Sequence, residues 1–488
     1  MRRHMFQADR YHMTMGNFSL SENGRLNKDF LLAEADSRFY ASFRKLPFAP
    51  CVGHDRLIEY LSHTTVDAPR IRDLKDDRAN LSLIGDYLEK NQIGGVVRAV
   101  HPGTIMFPRE PFADISGHFV TTQLAEIKFE HAFDLPMTVA YRALQMRMAA
   151  GTRSLSGFSN RRDDSVDRSV DVAKYSYIGG FDDTSNMEAG HRLNKPTVGT
   201  MSHALGQSYV AAAQKMDPKT GLPKHFEQIC FEKWLDQHPG GTSLLLDAIS
   251  IPSGIKHAIA AAKSTPERLQ SFKFVRIDTH PLGFWCNYVE KCLRLNGLTE
   301  TKIMATGDLD ETSIHQVIKE CPEVSGFGIG TKLISEVENV AGVVFKLCVI
   351  NGHPSVKCSS EAKSTLPGKL QVWRFTDTDN YYAFDVISTA DMHEHLIMAE
   401  FEKKHKNLKF GEPLLKEFWI NGMHYERSIP LLDEQKSFLQ KQLPKFRDLY
   451  HYPVYVSDEL KALTEKTVKF MNTDFNEYPD IVMPELKK

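Results

Sequence analysis

Phe272-Lys273-Phe274-Val275-Arg276-Ile277-Asp278 is a short apolar run closed by a carboxylate. Helix-compatible sequence follows over 287–296, and then a second run of the same kind, Lys302-Ile303-Met304-Ala305-Thr306-Gly307-Asp308. Strand, helix and strand in that order form the unit from which parallel sheets are built. Outward from this unit, Thr242-Ser243-Leu244-Leu245-Leu246-Asp247 precedes it, with a helical pattern over 254–262. Gly326-Phe327-Gly328-Ile329-Gly330-Thr331 follows it. The repetition predicts an α/β fold whose parallel sheet curls into a barrel, and in barrels the chemistry sits on the loops after the strands.

Further upstream, the stretch 175–209 carries two glycine turns, Gly179-Gly180 and Gly199-Thr200, and the second delivers His203. Between them Lys195-Pro196-Thr197-Val198 is expected to form a short strand. The segment 140–150 is rich in good helix formers and ends at Gly151, while Pro136 is expected to interrupt the helical pattern before it. The charge-dense segment 163–171 is a mobile loop or the opening turn of a helix. Residues 1–122 are read as sheet-rich, with strands over 39–43 and 94–100 and a loop bracketed by Pro108 and Pro111. Residues 123–345 form the α/β barrel. Residues 346–488 return to antiparallel character, with a hairpin of 370–375 and 381–386, and end in a helical tail from Leu431.

The chain has 488 residues, 42% hydrophobic and 25% charged, which is ample for a large core in an ordinary globular protein. A formal net charge of −2 with no basic stripe argues against a nucleic-acid partner. No run approaches the roughly 20 apolar residues needed to span a bilayer, and Met1-Arg2-Arg3 lacks the apolar region of a signal peptide. The seven cysteines are scattered and form no CxxC pair, which fits free thiols in a reducing cytoplasm. His393-Glu394-His395-Leu396-Ile397 begins like a zinc-protease helix, but Ile397 stands where the second histidine is required.

If the four runs are parallel neighbours, Asp247, Arg276, Asp278, Gly307, Asp308, Gly328 and Gly330 share one mouth. A Gly-x-Gly-Thr turn leaves backbone N–H groups free to cradle a phosphate. Arg276 and Arg161 supply charge-assisted hydrogen bonds, and Asp247 with Asp278 suits Mg²⁺. Each item alone has an ordinary structural explanation, as a turn, a cap or a solvated charge. Their combination describes a site for a phosphorylated sugar.

In this order the segments resemble the type II phosphoribosyltransferases, and within them the nicotinate phosphoribosyltransferase family. The likeness runs over residues 9–374. It is carried most specifically by Tyr-Ser-Tyr-Ile-Gly-Gly-Phe-Asp-Asp-Thr-Ser-Asn at 175–186, Gly-Thr-x-x-His at 199–203, Gly-Asp-Leu-Asp-Glu at 307–311, Gly-Phe-Gly-Ile-Gly-Thr at 326–331 and Ser-Thr-Leu-Pro-Gly-Lys at 364–369. The resemblance implies an irregular α/β barrel with an open sandwich domain built from both chain ends, in a cytoplasmic homodimer with shared sites. It implies formation of nicotinate mononucleotide and pyrophosphate from nicotinate and phosphoribosyl pyrophosphate in NAD salvage, with Mg²⁺, and with ATP hydrolysis through phosphorylated His203. Nicotinamide phosphoribosyltransferase, or a non-catalytic pyridine-nucleotide-binding relative, is the alternative.

By the same resemblance, Tyr11 reaches across the dimer to stack on the pyridine ring and Phe158 stacks on its other face. Arg161 and Arg276 hold the carboxylate and phosphate, and Asp247 and Asp278 bind ribose hydroxyls or Mg²⁺-pyrophosphate. Gly307 and Asp308 approach the ribose, and Gly328, Gly330 and Thr331 wrap the 5′-phosphate. Asn186 stands where the nicotinamide enzyme has an aspartate that accepts from the amide, so an amide here favours the acid. The chain also departs from the family. Where Arg-x-Asp-Ser-Gly-Asp is usual it has Arg276-Ile277-Asp278-Thr279-His280-Pro281. Ser159 replaces a glycine, and Asp247-Ala248-Ile249 replaces Asp-Thr-Tyr.

Overall fold

The computed structural model describes residues 8–62, 66–78, 80–91, 94–213, 226–334, 340–358, 365–402, 405, 407–420, 423–424 and 429–472. Residues 1–7, Ser364 of the Ser-Thr-Leu-Pro-Gly-Lys motif and the end of the helical tail lie outside them. The chain forms two compact units, one of Met1–Thr138 with Glu338–Lys488 and one of Val139–Val337.

The first unit is built from both chain ends. Its main sheet has seven strands, in the order His353–Pro354, Val344–Ile350, Asp36–Ser42, Ala113–His118, Val96–Ala99, Lys416–Ile420 and Met423–His424, antiparallel throughout. The N-terminal strands occupy the centre and C-terminal strands flank them. The expected hairpin is present as Leu370–Asp377 against Tyr382–Thr389, in a separate four-stranded sheet. Phe375, Phe384, Val386, Ile397 and Phe401 bury the apolar face of that hairpin beneath helix Glu394–Phe401.

Pro136 does not interrupt its helix. A single helix runs Glu126–Ala150 with the proline inside. Proline cannot donate to the carbonyl four residues back, that of Ala132, and this oxygen faces Gly53 instead. A Cβ at Gly53 would lie 2.0 Å from it. Gly53 has φ +120°, so the position is glycine on both counts.

The second unit carries the parallel sheet. In chain order its elements are β1 (Ser154–Gly157), α1 (Val166–Ile178), β2 (Asp183–Thr184), α2 (Met187–Leu193), α3 (His203–Ala213), α4 (Phe226–Gln237), β3 (Thr242–Leu245), α5 (Ile251–Lys263), α6 (Pro266–Ser271), β4 (Phe272–Ile277), α7 (Leu282–Leu295), β5 (Lys302–Thr306), α8 (Glu311–Glu320) and β6 (Val324–Ile329). The six strands pair in the order β3-β4-β5-β6-β1-β2, parallel at every step, as a curled half-barrel. The charge-dense segment resolves into α1, capped where the Ser165 hydroxyl accepts from the Arg168 N–H. The strand expected at 195–198 is reduced to one bridge, Thr184 to Thr197. Pro196 has no N–H for a ladder, so pairing stops there.

Among the described residues no helix is long and apolar enough to cross a membrane.

Candidate active site

Register aligns the C-terminal ends of the strands. Leu245 pairs with Arg276, Ile277 with Ala305, Thr306 with Gly328, and Ile329 with Gly157. The residues that follow each strand therefore emerge at one edge of the half-barrel. A cavity of about 230 Å³ lies there, bordered by Phe158, Arg161, Arg162, Arg276, Asp278, His280, Gly307, Asp308, Gly328, Gly330 and Thr331. Eight of the residues selected from sequence line it together with Thr331. Asp247 and His203 stand beside it through hydrogen bonds.

Arg276 is held in a fan. Its Nη2 donates to Asp278 Oδ2 at 2.8 Å, its Nε to the Thr306 hydroxyl at 3.0 Å and its Nη1 to the Thr200 hydroxyl at 3.4 Å. Its guanidinium carbon also lies 5.9 Å from the Phe158 ring centroid. A planar fork with several fixed donors suits this position better than a lysine point charge. Glycines make the room. A Cβ on Gly328 would lie 2.4 Å from the Phe158 ring, and one on Gly307 would lie 3.0 Å from Asp278 Oδ1. Gly307 and Asp308 both have left-handed backbone, at φ +111° and +45°. Such a turn directs backbone toward the cavity and is tolerated best by Gly and Asp.

His203 opens α3. Its Nε2 lies 3.1 Å from Asp247 Oδ1, and the other Asp247 oxygen accepts from the Asp278 N–H at 2.9 Å and the Thr279 hydroxyl at 2.7 Å. The carboxylate is an acceptor, so Nε2 carries the hydrogen and Nδ1 keeps its lone pair. The imidazole is 40% exposed, open to a second reactant.

Phe158 also borders a larger cavity of about 560 Å³, lined by Val198, Trp234, Phe274, Met304 and polar residues including Asp183 and Ser243. Phe158 thus stands between a small arginine-bordered compartment and a larger one of mixed apolar and polar lining.

Two selected residues fall elsewhere. Asn186 is buried at the start of α2, where its Oδ1 accepts from the Ala189 N–H and its Nδ2 donates to Ser169. It borders neither cavity, so the structure gives it a capping role. Tyr11 belongs to the first unit, in helix Arg10–Leu20, where its hydroxyl donates to Glu126 at 2.7 Å. Sequence reading passed over Arg162, Thr200 and Thr306. Thr200 sits inside the quoted Gly-Thr-x-x-His motif and Thr306 ends a quoted strand, but only the fold aims both at Arg276.

The expected Mg²⁺ donors are already engaged. Asp247 accepts three hydrogen bonds, and Asp278 Oδ2 is ion-paired to Arg276. Among the described residues no three His, Cys, Asp or Glu side chains converge as a metal ligand set. These residues form no closed protein cage for a divalent ion.

The whole chain has parallels among known proteins. The human nicotinic acid phosphoribosyltransferase structure superimposes with TM-score 0.75 over 94% of this chain and 99% of that one, at 22% identity. Nicotinate-nucleotide pyrophosphorylase from Pyrococcus furiosus gives 0.67 over 90% and 95%, at 20% identity. In sequence, the nicotinate phosphoribosyltransferase of Bacillus subtilis is 28% identical over 463 residues, covering 91% of this chain and 88% of its own. Nicotinate phosphoribosyltransferase pncB2 of Mycobacterium tuberculosis is 29% identical over 440 residues, covering 86% and 87%. No family model matches. Over most of its length the chain is similar to nicotinate phosphoribosyltransferases, and it shares the fold of the human structure.

Proposed function

We propose that this protein joins nicotinate to phosphoribosyl pyrophosphate, releasing pyrophosphate and nicotinate mononucleotide in NAD salvage, and that ATP hydrolysis through His203 drives the transfer. The observation that carries this reading is the Phe158 partition. A flat aromatic acid can lie on one ring while a sugar phosphate occupies the arginine- and glycine-bordered compartment beside it. The pyridine nitrogen attacks C1 of the ribose as the C1–O bond to pyrophosphate breaks. The protein supplies no nucleophile to the sugar. Positioning and fixed charge carry the step, with Asp278 and the Arg276 fork set around the ribosyl cation and its anionic groups.

His203 serves the ATP half-reaction. Asp247 holds Nε2–H, so Nδ1 attacks the γ-phosphorus, the bond to ADP breaks, and the carboxylate balances the charge gained by the ring. The site is completed in a homodimer, with Tyr11 of one copy serving the other.

The test is transfer by the purified protein, with nicotinate or nicotinamide and with or without ATP. We expect product from nicotinate, accelerated by ATP. For His203→Ala we expect loss of ATP coupling with slow transfer retained at high phosphoribosyl pyrophosphate. Product from nicotinamide alone refutes the substrate. A folded His203→Ala protein with no transfer at any concentration refutes the role given to His203.

A further inference from the structure

Resting on the reading above, we propose that the pyrophosphate group is received directly by Arg161 and Arg162, without a divalent cation held by the protein. Both arginines border the small cavity and are exposed, and among the described residues neither side chain has an ion-pair or hydrogen-bond partner. The carboxylates are otherwise placed. Asp278 is paired with Arg276, and Asp247 accepts from His203, Thr279 and a backbone N–H. Only Asp308 adds a further negative charge to the lining, and it is exposed.

His280-Pro281 completes the argument. A carboxylate at this bend would have faced the same anion and called for a cation between them. In this chain His280 borders the cavity instead and its Nε2 lies 3.2 Å from the Gly307 carbonyl, while Pro281 occupies the position before α7 with no side-chain hydrogen bond. Two unpaired guanidinium forks, on a lining that keeps a net positive charge, are suited to phosphate oxygens without a bridging metal.

The test is calorimetric titration of the full-length protein with inorganic pyrophosphate, in EDTA and in excess Mg²⁺. The expected affinities agree within about threefold, and Arg162→Ala weakens metal-free binding at least about tenfold with an unchanged unfolding midpoint. His280→Asp, at an exposed position on the cavity border, is expected to weaken metal-free binding at least about fivefold, with Mg²⁺ restoring it. Arg162→Gln replaces Arg162→Ala if the alanine variant is unstable. Binding tightened more than about threefold by Mg²⁺ in the wild type, or undiminished in the arginine variant, overturns the proposal. The two readings separate cleanly. Nicotinate transfer with Mg²⁺-dependent pyrophosphate binding removes this inference alone. Metal-free binding without transfer supports this inference and removes the proposed reaction.

Discussion

A single buried imidazole gives the first unit a pH dependence. His54 is almost wholly buried between Phe133 and Phe418, and its Nε2–H donates to the Val100 carbonyl at 2.8 Å while Nδ1 finds no partner. Burial lowers its pKa to about 4. The unfolded chain takes up this proton near pH 6.5 and the folded chain only near pH 4, so the contribution is complete above the first value. It is lost as pH falls through that window. At about 1.4 kcal/mol per pH unit of separation, the loss approaches roughly 3 kcal/mol. Glu130, raised to about 7 chiefly by burial, acts in the opposite direction, so the informative quantity is a difference between proteins. His54→Gln keeps a donor for Val100 and does not titrate. Urea midpoints of wild type and variant should diverge below pH 6.5, the variant losing less, and parallel curves would refute this assignment.

At the scale of elements, the His203–Asp247 pair depends on how closely α3 approaches the turn after β3. Gly206 lies one turn into that helix, and a Cβ there would be 2.9 Å from the Ala248 Cβ. Gly206→Val should push the helix away, break the hydrogen bond to Asp247 and reduce the proposed phosphorylation of His203 from labelled ATP at least about tenfold, at a cost of about 1–3 kcal/mol typical of overpacking. Ala248→Gly should restore labelling in the double variant. Failure of that rescue would mean that the valine acts elsewhere. The long helix Glu126–Ala150 teaches a related lesson. Its central proline reads as a break in sequence, yet the displaced carbonyl is accommodated by a glycine more than seventy residues earlier.

The first unit, assembled from both ends of the molecule, is tied by a buried charge. Arg374 donates to Asp385 and to the Ile105 carbonyl, and the Tyr452 hydroxyl donates to the same aspartate. The rings of Phe107, Tyr382, Phe446 and Tyr452 surround the guanidinium. Burial, with Asp385 beside it, keeps the nearby Glu110 carboxyl well above its usual range. Removing one member of such a pair strands the other. Arg374→Met should therefore cost roughly 3–5 kcal/mol, measured by chemical unfolding, and Arg374→Met/Asp385→Leu should recover part of it. A loss below about 1 kcal/mol would show that the network is not a tie.

The alternation of apolar runs with helical segments was enough to determine the parallel sheet, because periodicity and turn residues are local properties. It also determined that Asp278, Gly307 and Gly330 follow strands. The antiparallel hairpin 370–389 was legible for the same reason. What sequence could not determine was which polar groups would already be spent. Asn186 is consumed by a helix cap and Asp247 by three donors, and these partners lie up to 44 residues away. The tertiary structure decided that, since a hydrogen bond is satisfied by whatever the fold brings within 3 Å, at any distance along the chain.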